Sequence, residues 1–151
     1  MASPFPFTSG QVLTAAQLNI ISELTVFTPS WTNFTPGNAT EAWYYTQVQD
    51  FVYIQGTTVL GSTSSVTGAI TLANPAGGTL VSTSTAQGLF EYTESGGVRA
   101  FGSAVVSGGA FVFVYFSVSG SLITRTTSSP TAPFTWGTGD ILRGWMAYQL
   151  L

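Results

Sequence analysis

From residue 41 onward the chain alternates apolar and polar positions in short runs, broken by glycine, proline and asparagine. Alternation with a period of two marks strands that bury one face, and the breakers mark the turns between them. The runs predict strands at Ala42–Gln49 and Phe51–Leu60, flanking Asp50, then at Ala69–Leu72 and Leu80–Thr85 around the turn Asn74–Gly78. Leu89–Thr93 and Val98–Val106 read as a hairpin around Glu94–Gly97, which sets Glu91 across from Arg99 on one face. Ala110–Val118, a short run at Leu122–Thr124 and a last strand at Ile141–Leu150 complete the series. Strands at this spacing predict an all-β fold, a jelly-roll-like antiparallel β-sandwich of about eight strands.

Two of these strands carry more than fold. Phe111–Phe116 is apolar on both faces, so both faces are expected to be covered, one by a second sheet and the other by a neighbouring subunit. In the last strand Leu142, Gly144, Met146, Tyr148 and Leu150 form the core face. The opposite face, Ile141, Arg143, Trp145, Ala147 and Gln149, is too apolar for a free surface. Phe111, Phe113, Tyr115, Arg143 and Trp145 are therefore the candidate subunit interface of a homotrimer, with a deeper single-chain core as the alternative.

The first 26 residues follow a different rule. Thr14-Ala15-Ala16-Gln17 fits a capping box, Leu13 and Leu18 are placed for a hydrophobic staple, and Leu18, Ile21 and Leu24 form a stripe at helical spacing. A short helix is predicted over about Ala15 to Glu23, too short to be stable alone. It must dock, either on its own domain or on another protein. In the second case Val12, Leu13, Leu18, Ile21 and Leu24 are the attachment residues. The expected organisation is an attachment segment over 1–26, a Pro- and Trp-containing link over 27–40, and a β-sandwich over 41–151.

Composition narrows the function. Charged residues make up 6% of the 151, against about 25% in an average domain. There are three arginines, six acids and no lysine, histidine or cysteine, for a net charge of −3. Three arginines make no basic patch for nucleic acid. Thiolate or imidazole zinc sites, disulfides and the usual nucleophile–base pairs have no residues to form them, and no cofactor is implied. Serine and threonine, 17 and 23 residues, take the place of charge. So few charges give a free monomer little colloidal protection, which points to a surface covered by copies or by an assembly. The N-terminus has neither the basic nor the continuous apolar region of a signal peptide. The uncharged stretch between Arg99 and Arg125 is broken by Gly108-Gly109 and several serines, and reads as two strands rather than a membrane span.

Four segments together resemble the virion proteins of tailed bacteriophages, of the minor tail or tail-fibre type. Gly10–Asn19 resembles a segment near the N-termini of such proteins, and Trp31–Thr40 the start of a β-domain found in them. Val59–Leu72 and Pro133–Leu142 are similar to later parts of that domain, in the same order. The resemblance implies a trimeric β-sandwich exposed on the virion surface and held to capsid or tail by its N-terminal segment. It carries over no binding residue. The chain has no long shaft between anchor and tip, which favours a compact knob over a long fibre. Binding a host-surface glycan and reinforcing the capsid as a decoration protein are the two roles this leaves. A free lectin-like carbohydrate-binding module is a third.

Candidate chemistry is sparse. Glu91 and Glu94, joined by Asp140, are the one carboxylate set a glycosidase could use, but a turn and an ion pair with Arg99 account for them more simply. Sugar stacking needs no charge, and Trp31, Trp43, Tyr44, Tyr45, Trp136 and Trp145 are its candidates. Trp136, in a Gly-flanked loop, is the one expected to be exposed and to contact glycan. Arg143 is expected to pair with an acid of another subunit, such as Glu23 or Asp140.

Overall fold

Two-residue turns set the first neighbours in the sheet. The computed structural model describes residues 23–80 and 87–151. Gln49-Asp50 joins β3 (Thr40–Val48) to β4 (Phe51–Val59), and Gly108-Gly109 joins β7 (Arg99–Ser107) to β8 (Ala110–Ser119). Both glycines of the second turn have positive φ, 59° and 79°, as a type I′ hairpin turn demands. Gly120-Ser121 likewise joins β8 to β9 (Leu122–Thr127). The remaining strands are β1 (Thr25–Val26), β2 (Trp31–Thr35), β5 (Ser65–Ala73), β6 (Gln87–Thr93) and β10 (Ile141–Gln149).

All ten pair antiparallel in one curled sheet, in the order β1–β3–β4–β10–β6–β7–β8–β5–β2, with β9 added to β8. Strands β6, β7 and β8, with β10 returning beside β6, make one Greek key. The hairpin β3–β4 and the pair β2–β5 extend it on either side. The result is all-β and sandwich-like.

Curling brings the two ends of this path together around one core. Ile54, Leu142, Met146, Phe90, Phe113, Leu72 and Trp43 point inward and are fully buried. Rings meet across the interior: Phe90 and Phe113 at 4.7 Å, Phe111 and Tyr148 at 4.5 Å, and Trp31 of β2 against Trp43 of β3 at 5.4 Å. Polar atoms in this core are matched. Trp43 Nε1 donates to the Thr58 hydroxyl at 2.8 Å; Thr58 and Trp31 Nε1 both donate to Glu41 Oε1, at 3.2 and 2.7 Å. Tyr92 donates to the Val114 carbonyl at 2.9 Å, and burial pushes its hydroxyl well above the usual tyrosine range.

The structure changes several expectations. The described residues form ten strands rather than about eight, because Thr25–Val26, inside the expected attachment segment, forms β1 against β3, and the polar run Trp31–Thr35, bounded by Pro29 and Pro36, forms β2 inside the expected link. Only Phe34 of that strand is fully buried, so its pattern is too weak to read as a strand. The predicted helix over Ala15–Glu23, but for Glu23 at its end, and the attachment residues Val12, Leu13, Leu18 and Ile21 lie outside the described residues; Leu24 is described and exposed. Leu80 forms a bridge with Leu150, and the rest of the run to Thr85 lies outside the described residues.

Phe111 and Phe113 face the chain's own core rather than a subunit interface, since both are fully buried within this chain. Tyr115 is half-buried against the same core. Beyond it, β8 loses its β7 partner, whose last pairing is Gly102 with Tyr115, and runs on with β9 alone. This hairpin arm carries Val118, Leu122 and Ile123 at 77%, 71% and 76% exposure.

Candidate functional site

Strand alternation sends every second side chain of β3, β4, β10, β6 and β7 outward, and the register lines them up across the sheet. One row reads Tyr44, Gln55, Trp145 and Leu89, each paired with the next across adjacent strands. The neighbouring row reads Ala42, Thr57, Arg143, Glu91 and Phe101. With Tyr53 they line an open groove of about 470 Å³ on the outer face.

The groove lies behind two glycines that face inward, Gly56 and Gly144, which are paired with each other. A Cβ on Gly56 would meet three ring atoms of Trp43 within 2.6 Å, so the indole covers the space a side chain would take. On the outer side Tyr53 and Trp145 stack with centroids 6.0 Å apart and planes 24° from parallel. Trp145 is 43% exposed, and Leu89 and Phe101 beside it are exposed as well. The Tyr53 hydroxyl donates to Gln55 Oε1 at 3.1 Å, and the amide nitrogen of Gln55 has no hydrogen-bond partner among the described residues.

Charge enters through one carboxylate and two guanidiniums. Arg143 donates to Glu91 Oε2 from Nε at 3.0 Å and from Nη2 at 2.8 Å. Thr93 donates its hydroxyl to Glu91 Oε1 at 3.0 Å, and Arg99 Nη1 stands 3.6 Å from that oxygen. The Arg143 hydrogen bonds, more than any other influence, hold the Glu91 carboxyl below the usual carboxylate range. Arg99 sits one diagonal step away, since the residue directly across from Glu91 is Phe101. Arg143 thus finds its acid within the chain, not on another subunit.

Of the six aromatic candidates for stacking, Tyr44 and Trp145 meet in this groove. Trp136 does not: it packs against Phe134 and Tyr92, and its Nε1 donates to the Ser129 carbonyl at 3.0 Å, so it secures the 128–140 loop instead of standing free. Trp43 is buried, and Trp31 and Tyr45 pack on the core. The acid set is also dispersed in role. Asp140 is buried, with Oδ1 accepting from the Ser95 amide at 2.8 Å and Oδ2 from the Gly137 amide at 2.6 Å, so it clamps two loops. Tyr53, Gln55, Leu89 and Phe101 were not legible as groove residues, because their meeting depends on the strand order β4–β10–β6–β7.

Among the described residues no helix is long and apolar enough to cross a membrane. No protein-family model, no curated protein and no solved structure matches this chain.

Proposed function

We propose that this chain is a non-enzymatic bacteriophage virion structural protein, a homotrimeric β-sandwich held to capsid or tail by its N-terminal segment, which binds a host-surface glycan in the outer groove. The observation that carries the glycan reading is the stacked pair Tyr53 and Trp145, open to solvent beside Tyr44 and the polar groups of Gln55, Thr57 and Arg143. Flat aromatic faces take the apolar faces of sugar rings, and a few polar groups fix their orientation. The virion reading is supported by the four resembling segments and by the 6% charge. Arg143 and Trp145, expected at a subunit interface, serve the ligand in this reading.

Glycan-array binding by the full chain, followed by titration of the best hit, tests the reading. Trp145→Ala should weaken binding about tenfold while lowering Tm by no more than about 5 °C. Absence of any glycan binding, or unchanged affinity in that variant, refutes it.

The exposed arm favours a second reading, capsid decoration. Val118, Leu122 and Ile123 give an apolar surface that a capsid partner would cover. Particles lacking a decoration protein should lose heat resistance and keep adsorption; particles lacking a receptor binder should do the reverse. Sedimentation of the isolated chain tests the trimer, and sugar binding by a protein absent from purified particles would favour the free lectin.

A further inference from the structure

We infer that the groove selects an anionic saccharide, one carrying a carboxylate or phosphate on its sugar ring; the inference rests on the glycan reading above. Glu91 is saturated by Arg143, Thr93 and Arg99. Its single charge faces two guanidiniums, so this part of the surface is locally cationic in a chain whose net charge is −3. Among the described residues no acid besides Glu91 forms an ion pair with either arginine. Glu41 is bonded by Trp31 and Thr58 on the inner side, Asp140 clamps its loops, Asp50 lies in the β3–β4 turn and Glu94 in the β6–β7 turn.

Both cations keep donors to spend. Arg143 uses Nε and Nη2 on Glu91, while its Nη1 has no hydrogen-bond partner among the described residues. The Arg99 side chain is 61% exposed and meets Glu91 as an ion pair without a hydrogen bond. An arginine fork matches the paired oxygens of a carboxylate or phosphate. Arg143 and Trp145 stand two residues apart on the same strand face, roughly 7 Å. A pyranose stacked on Trp145 therefore brings a charged ring substituent, or that of the adjoining sugar, within reach of Arg143. A nucleic acid strand shares the stacking and the charge, but it brings a run of phosphates to a chain with only three arginines and a net negative charge.

A glycan array that pairs galactose and glucose oligomers with their uronate and phosphorylated counterparts, probed with the full chain, decides the matter. The charged members should bind at least about tenfold more tightly than their neutral partners. The uronate and phosphate arms identify which group is read. Arg99→Gln should erode that preference several-fold, and so should raising the salt from about 50 to 500 mM. Equal or tighter binding of the neutral members overturns the inference and leaves the glycan reading standing. Binding to no member overturns both. Preference for single-stranded DNA over every glycan also overturns the inference.

Discussion

Replacing Gly56 by alanine adds one methyl group in β4, on the side that faces Trp43. In an open strand this change stabilises by about 0.4–1 kcal/mol, since alanine loses less conformational freedom on folding. Here three ring atoms of Trp43 lie within 2.6 Å of the added carbon, well inside ordinary contact distance. The ring cannot yield freely. Its Nε1 is tied to Thr58 at 2.8 Å, and the rings of Trp31 and Phe27 hold it at 5.4 and 6.4 Å. Overpacking of this kind costs about 1–3 kcal/mol, and losing the buried hydrogen bond adds about 1 kcal/mol. After the entropic gain is subtracted, the expected net loss is about 1–3.5 kcal/mol, a fall in Tm of roughly 2–14 °C for a domain of this size. Urea unfolding followed by tryptophan fluorescence, with calorimetry alongside, measures it. In a Trp43→Leu background the methyl has room, and the same substitution should cost less than about 1 kcal/mol. Gly56→Ala that is neutral or stabilising, or equally costly in both backgrounds, refutes the argument that this glycine exists to seat the indole.

Other outcomes follow from features already described. Asp140→Ala strands two backbone amides and should cost about 2–4 kcal/mol by calorimetry, with Asp140→Asn losing about half as much. Glu91 has a lowered pKa in the fold, so its contribution is present above the unfolded value, about 4.3, and is lost as pH falls through the folded one. Glu91→Gln should accordingly flatten the fall of Tm with pH below that value. On the arm, Val118 and Ile123 face each other across β8 and β9, both exposed. Changing both to threonine should leave Tm within about 2 °C, since exposed positions carry little stability, while reducing association seen by light scattering.

The strand content was legible because hydrophobic alternation is a local signal. The core face of β10, the Gly108-Gly109 turn and the closeness of Glu91 to Arg99 follow from it directly. What the pattern does not encode is which strands become neighbours. Phe111–Phe116 reads as apolar on both faces, and from sequence that demands a second covering surface. In the structure the two ends of the strand have different fates: Phe111 and Phe113 are sealed by rings from β6 and β10, while Phe116 and Val118 run out with β9. Trp136 shows the opposite error. A tryptophan among glycines looks exposed, but Phe134 and Tyr92 lie close enough to enclose it. The groove is the least legible feature, since its side chains come from β3, β4, β10, β6 and β7 and converge only through register.

The place of β10 in the sheet governs how the chain can be made. It is the last strand in chain order, yet it lies between β4 and β6 and contributes ladder pairs to both. Until it emerges from the ribosome, the hairpin β3–β4 has no bridge to the Greek-key strands, and the Gly56 side of the nascent sheet has no partner. Folding must therefore wait for translation to reach Gln149, with β4 held unpaired on one edge through synthesis of some ninety residues. A ribosome stalled ahead of Ile141 would display that open edge, the kind of unpaired strand edge that invites wrong pairing, whereas the finished sheet has β4 paired on both sides.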